Sequence, residues 1–191
     1  MKTAVVLSIL ALIIGFPIIS TATPIFNPYN NHYYERVTTS TNWDWAFTRV
    51  QQYEHLGMQG YLATITSEAE NKWIVDNLGG MLLAEHYLGG RLINGNWVWM
   101  TGEKWVYENW GIGEPSNMES VDALLFDDVS HFGEGRWADS PRGNPSKAGF
   151  IVEYGAIVAP EPLPEPSTIL LIGVGLAGIA GIRRRLNARK K

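Results

Sequence analysis

The stretch Trp97–Asn117, WVWMTGEKWVYENWGIGEPSN, constrains this chain more than any other. It holds four of the eight tryptophans. Trp97 and Trp99 alternate around Val98, a period of two that sets both indoles on one face of a strand. Trp105, Tyr107 and Trp110 follow at spacings too irregular for a helix and too aromatic for a solvated loop. Each such ring gains by burying about 150 Å² or more, so the segment has to be wrapped in protein. It then breaks into Gly-Ile-Gly-Glu-Pro-Ser-Asn, a short acidic loop bearing a proline. The pattern predicts an aromatic frame that holds a recognition loop still. Most of the tryptophans are expected in the core, and Trp110, beside the loop, is expected to offer a stacking face to a ligand.

The ends of the chain are of a different kind. Residues 1–22 read as a secretory signal: Lys2 is the positive start, Ala4–Ile19 the apolar core, and Ser20-Thr21-Ala22 the small residues before cleavage. An exported chain with no cysteine has neither disulfides, nor a cysteine zinc site, nor a cysteine nucleophile. Its stability has to come from burial. Residues 23–160 carry 8 Lys/Arg against 17 Asp/Glu, a net charge of about −9. That acidic body disfavours nucleic acid, whose binding rests on neutralising phosphates.

The body reads as one α+β domain over residues 23–158. His32–Val37 is expected as a strand, and Thr41 or Asn42 as the cap of a helix running to about Leu56, with Trp45, Ala46, Arg49, Val50 and Tyr53 at helical spacing. Tyr61–Ile65 is a short strand. Ser67-Glu68-Ala69-Glu70 is a capping box that opens a second helix to about Leu78. Tyr87–Gly90 is a strand whose glycines permit close backbone approach. Asn94-Gly95 is a tight turn into Trp97–Trp99. Further strands are expected at Ala123–Phe126, around Arg136–Asp139 and at Phe150–Tyr154.

These pieces carry a resemblance. Gly60–Ile65 followed by Ser67-Glu68-Ala69-Glu70-Asn71, then Tyr87-Leu88-Gly89-Gly90, Trp97-x-Trp99, Tyr107-x-x-Trp110, Gly113-Glu114-Pro115, Trp137-x-Asp139 and Phe150-Ile151-Val152-Glu153 occur in the order and approximate spacing of C-type lectin-like domains. The similarity spans about residues 30–155. It implies two helices, small antiparallel sheets and a long loop region that commonly holds calcium and a sugar. In that family an oxygen set from a Glu-Pro-Asn triplet, a later acid and an Asn-Asp pair chelates the ion. Calcium takes six to eight oxygens at about 2.4 Å, and such side chains supply them. Glu114 and Pro115 match here, Ser116 stands third with Asn117 after it, Asp122 is the later acid, and Asp139 follows Ala138 where calcium binders have asparagine. The resemblance therefore implies a ligand site of Glu114, Ser116, Asn117, Asp122, Asp139 and Trp110, with Glu114, Asp122 and Asp139 as ligands of a calcium-assisted form. A polar loop with ordinary hydrogen bonds, and hence a metal-independent protein-binding or structural matrix component, is the alternative.

A second resemblance lies in the tail. Pro164-Glu165-Pro166, the apolar stretch Ser167–Ile182 and Arg183-Arg184-Arg185 are similar to the PEP-CTERM sorting signal of Gram-negative bacteria. Sixteen nearly uncharged residues reach about 24 Å as a helix, slightly short of a bilayer core, and the arginines favour a cytoplasmic C-terminus. Residues 159–166 are a proline-rich linker, and 167–191 a C-terminal membrane and sorting segment. The resemblance implies transient inner-membrane anchoring, processing by an exosortase-type protease, and delivery to the envelope or exopolysaccharide matrix. Extracellular or self-produced polysaccharide is the expected partner.

Other chemistries find less support. His32, His55, His86 and His131 show no metal-ligand spacing, and each is expected as a surface or satisfied core residue. No Gly-x-Ser-x-Gly elbow occurs, and no enzyme is expected. Asp127-Asp128 is expected as a solvated turn or an internal ion-pair partner. Gly173–Gly178 matches a dinucleotide fingerprint in letters only, because nothing after it leaves room for a second strand.

Overall fold

The computed structural model describes residues 23–157 except 117, 132 and 134. The signal segment, the linker and the C-terminal sorting segment lie outside the described residues. The elements in order are β1 (Ile25–Asn27), β2 (His32–Thr41), α1 (Trp43–Val50), β3 (Glu54–His55), β4 (Met58–Leu62), α2 (Glu68–Leu78), β5 (His86–Ile93), β6 (Asn96–Trp99), β7 (Ala123–Phe126), β8 (Trp137–Ser140) and β9 (Lys147–Tyr154). A 3₁₀ turn, Gly80–Leu83, links α2 to β5.

Local chemistry sets both helix starts. The Asn42 side chain accepts from the Trp45 amide at 2.8 Å, and Ser67 accepts from the Glu70 amide at 3.2 Å. The reciprocal half of the second cap differs from the expected box, because Glu70 Oε2 accepts from the Thr66 amide instead. Helix α1 also stops at Val50, well short of Leu56. The chain instead makes a small hairpin there, with Glu54 opposite Gln59, and Leu56 and Gly57 turning at φ 51° and 79°. Starting the helix at Trp43 turns Trp43 inward with the expected Ala46 and Val50, and leaves Trp45, expected on the same face, 44% exposed.

The strands of the described residues order as β1-β2-β9-β5-β7-β8, with β4 on β9 and β6 on β5. Pairing is antiparallel except between β5 and β9, where His86 and Tyr87 lie parallel to Gly149 and Phe150. The sheet is therefore mixed. Alternation along β9 feeds two cores: Phe150, Val152 and Tyr154 join Trp43 and Val50, while Ile151 joins Trp73, Ile74, Trp99 and Trp137. Gly89 sits where an added Cβ would meet the Leu62 carbonyl at 2.5 Å, which explains glycine in that strand.

One buried polar seam crosses this frame. Glu153 on β9 accepts from the Thr64 amide at 2.8 Å, and its Oε1 lies 2.5 Å from His32 Nδ1. The Tyr34 hydroxyl lies 2.9 Å from Glu153 Oε1 and 2.5 Å from Glu70 Oε1. Asn30 Nδ2 donates to Glu70 at 3.1 Å, and Thr66 donates to it through amide and hydroxyl.

Candidate functional site

Hairpin β5–β6 sets Trp99 opposite Gly90 and Trp97 opposite Leu92, so both indoles fall on one face. Trp99 stacks on Trp105 at 4.6 Å between centroids, and Trp97 meets Trp110 at 5.0 Å and Trp105 at 5.9 Å. Trp137 meets Trp99, Trp105, Tyr107 and Trp110 nearly edge-on within 5.5–6.1 Å. Its indole N–H donates to Asn71 Oδ1 at 2.9 Å inside the core. Rings packed in this way have no freedom to swing. The aromatic run is thus the expected frame, and Trp110 is half-buried in it, as are Trp97 and Trp105.

The acidic loop is tied onto that frame by backbone. The Trp137 amide donates to Asn109 O and the Gly111 amide to Trp137 O, both at 2.8 Å, and the Glu114 amide reaches Gly111 O at 3.1 Å. The Glu114–Pro115 bond is cis. Glu114 Oε2 accepts from the Ser116 and Asp139 amides, each at 3.2 Å, and Asp139 Oδ1 accepts from the Ser116 amide at 3.0 Å. Glu114, Ser116 and Asp139 therefore meet at one point. Burial and the neighbouring Asp139 carboxyl push the Glu114 carboxyl above its ordinary range. Asp139 Oδ2 and Ser116 Oγ are buried with no hydrogen-bond partner. Two acids side by side, with bare oxygens, form an acceptor-rich cluster short of donors and of positive charge.

Asp122 is placed differently. Arg91 Nη2 reaches its Oδ2 at 2.7 Å and Arg91 Nε its carbonyl at 3.0 Å, while the guanidinium lies 4.7 Å above the Trp43 ring. Asp122 Oδ1 is buried without a partner. Arg91 is the residue that sequence reasoning missed; an arginine on a strand carries no local sign that it will meet a loop acid 31 positions later. Asn117 lies outside the described residues.

Among the described residues, three His/Asp/Glu ligand atoms come within 4.8 Å of one another at Asp127, Asp128 and His131. Asp127 is buried and takes the Asp128 amide at 2.7 Å. Asp128 accepts from the Ser130 and His131 amides and the Ser130 hydroxyl, which holds its carboxyl below the usual range. That is an acidic turn closed on itself. The remaining histidines sit in the body. His32 is paired with Glu153, His55 packs between Tyr33 and Tyr154, and burial lowers His86 to about 4.

The comparisons with known proteins agree with this architecture. Residues 162–185 match the PEP-CTERM protein-sorting motif. The chain is 31% identical over 147 residues to halomucin of Haloquadratum walsbyi, covering 68% of this chain but 2% of that protein's length. It is 26% identical over 125 residues to an alpha-N-acetylgalactosamine-specific lectin of Patiria pectinifera, covering 61% of this chain and 71% of the lectin. Its structure superposes on the C-type lectin CEL-I of Cucumaria echinata with a TM-score of 0.53 at 21% identity, over 65% of this chain and 90% of that one. The described body has the C-type lectin-like fold, and behind it the chain carries a PEP-CTERM sorting motif.

Proposed function

We propose that the protein is an exported, non-enzymatic carbohydrate-binding module that grips polysaccharide at the Glu114–Ser116–Asp139 cluster, with calcium assistance. The observation that carries this reading is the pair of buried, unpartnered oxygens, Asp139 Oδ2 and Ser116 Oγ, beside two adjoining carboxylates. Buried acceptors of this kind call for a donor or a cation from outside the chain. The donor set fits a weak calcium site. Glu114, Ser116 and Asp139 offer hard oxygens, Ala138 offers none, and Arg91 has already claimed one oxygen of Asp122. Glu114, Ser116 and Asp139 would hold the ion, whose charge would offset the paired acids and offer a Lewis-acidic partner to vicinal sugar hydroxyls. The Ser116 and Asp139 amides orient the two carboxylates, and the aromatic frame keeps that orientation fixed.

The PEP-CTERM motif supports delivery to the envelope or extracellular matrix after exosortase-type processing, and polysaccharide as the partner met there. No helix among the described residues is long and apolar enough to cross a membrane, and the segment we assign to transient anchoring lies outside them. Ala138 and the Arg91–Asp122 pair favour a second reading, a metal-independent matrix component using the same loops. A glycan array probed with calcium and then with chelator separates the two. Binding that chelator abolishes is the expected result, binding that ignores chelator transfers the site to the metal-free form, and no binding in either condition overturns the carbohydrate reading.

A further inference from the structure

An open groove of about 430 Å³ lies between α1 and β4, walled by Phe47 and Val50 of the helix, by Met58 and Leu62 of the strand, and by Met100 and Ile157 from the segments after β6 and β9. No charged side chain is among the described residues that line it, and neither are Glu114, Ser116 and Asp139. We propose that this groove receives the chain's own linker, residues 158–163, and so fixes where the sorting motif leaves the body. The linker lies outside the described residues, and the inference stands independently of the carbohydrate reading.

The fold holds the walls in place. Phe47 stacks on Trp43 at 4.9 Å between ring centroids, and the Trp43 indole N–H donates to Leu88 O at 2.9 Å. Strand β4 is pinned to β9, with Gly60 opposite Tyr154, and the Met100 amide donates to Gly89 O at 3.0 Å. Val50 and Leu62 are buried at the bottom of the groove, whereas Phe47 and Met58 are half-buried, and Met100 and Ile157 are 39% and 46% exposed. The fold thus leaves a continuous apolar wall facing water, a placement that gains nothing until something covers it.

The course of the chain names the occupant. Gly155 and Ile157, the latter the last described residue, already line the groove, and Val158-Ala159-Pro160-Glu161-Pro162-Leu163 comes next. Prolines favour the polyproline helix, with three residues per turn and a rise of about 3.1 Å, so these six residues reach about 19 Å. At that repeat Ile157, Pro160 and Leu163 share one side, while Glu161 and Glu165 fall on the other two. The result is an apolar ridge for an uncharged groove, with both acids left to water. Proline-rich segments dock in apolar, aromatic-lined grooves in this form because they have little conformational freedom left to lose.

Tethering strengthens the contact. A segment joined to the groove's own wall has an effective concentration on the order of millimolar, so contacts too weak to hold a free peptide suffice. A groove of this volume takes a few side chains, whereas a second copy of the chain needs a face of about 800 Å² on each partner. Pro164-Glu165-Pro166 follows the docked residues directly. Docking therefore holds the sorting motif beside the folded body, and a body that has not folded, lacking the groove, does not hold it.

The test exploits a chain with no cysteine of its own. Gln51→Cys on the exposed rim and Glu161→Cys in the linker are combined in the full-length chain, held in lipid nanodiscs at one chain per disc, and disulfide closure is timed under mild oxidation. The expected result is closure within one chain that slows about tenfold when Pro160→Ser and Leu163→Ser remove the ridge, and again when Met100→Ser alters the wall, since neither change alters the tether length. The linker variant leaves the body's own sequence untouched, and melting curves report that every variant keeps its fold. Closure at the same rate with and without the ridge overturns the inference, because the tether alone then brings the two positions together. Disulfides that join two chains, in place of closure within one, when the discs are omitted and the chain is concentrated in detergent assign the groove to a second copy and overturn it as well.

Discussion

Two pairs of carboxylates among the described residues, Glu70 with Glu153 and Glu114 with Asp139, are treated in opposite ways. Glu70 and Glu153 are 4% and 1% exposed, and donors surround them: Tyr34, Asn30 and Thr66 on one, His32, Tyr34 and the Thr64 amide on the other. Among the described residues Glu114 and Asp139 receive the Ser116 and Asp139 amides, and Asp139 Oδ2 is buried without a hydrogen-bond partner. The body pair is complete without help. The loop pair keeps a buried oxygen without a hydrogen-bond partner, and it is on this asymmetry that the proposed binding role of Glu114 and Asp139 rests.

Proton counting sharpens the contrast. Tyr34 has one hydroxyl hydrogen, yet carboxylate oxygens of Glu70 and Glu153 lie at 2.5 and 2.9 Å from it. A second proton has to reside on Glu153 or come from His32. Burial accordingly pushes Glu153 up to about 7, and its hydrogen bond to Glu153 raises His32.

The largest effect should come from cutting the body pair. Glu70→Ala strips Tyr34 and Asn30 of one of their two acceptors and the Thr66 amide of its Glu70 acceptor, and denaturant unfolding should show a loss of about 3–5 kcal/mol. A loss under about 1 kcal/mol would break the comparison, because the seam would then be no more structural than the loop.

Next comes pH. The folded value for Glu153, about 7, lies above its ordinary 4.5, so between those values the folded state binds more protons than the unfolded one. Stability is therefore greatest at the acid end of that window and declines as pH rises through about 7. The raised His32 acts in the same direction, contributing stability below 6.5 that is lost as pH climbs through its folded value. Melting temperature should fall between about pH 5 and pH 8, by the equivalent of on the order of 1–3 kcal/mol. Glu153→Gln should flatten the profile, and a flat profile in the unaltered protein would refute the proton count.

Arg91→Met should cost about 1–2 kcal/mol, since it strips Asp122 of a part-buried, charge-assisted partner. Against that, Glu114→Gln should weaken calcium or glycan binding about tenfold, near 1.4 kcal/mol, and move the unfolding midpoint by less than about 1 kcal/mol. Binding should also weaken on acidification sooner than an ordinary carboxylate would dictate, because the Glu114 carboxyl is raised. The smallest effect belongs to Lys72→Ala. Its partner Asp76 and Lys72 are 54% and 73% exposed, and exposed pairs of this kind contribute about 0.5 kcal/mol or less.

Much of the fold was legible because its signals are local. Ser67 and Asn42 announce the helix starts through hydrogen bonds to their own next turn, and the Trp97–Val98–Trp99 alternation announces a strand face. The end of α1 was not legible. The spacing to Tyr53 mimics a helix, while the pairing of Glu54 with Gln59 overrides it. In the candidate site, Glu114 and Asp139 stand out in the chain, but Arg91 does not, since nothing near it hints at Asp122.

Periodicity and capping, interactions within a few residues, outlined the α+β body and the aromatic frame before any coordinates, and the sorting tail was read from its resemblance to a known signal. Whether an acid ends up satisfied or bare depends on partners tens of positions away, such as Tyr34 for Glu153 or Arg91 for Asp122. Long-range packing chose those partners, and with them which carboxylates are satisfied inside the fold and which keep an oxygen bare.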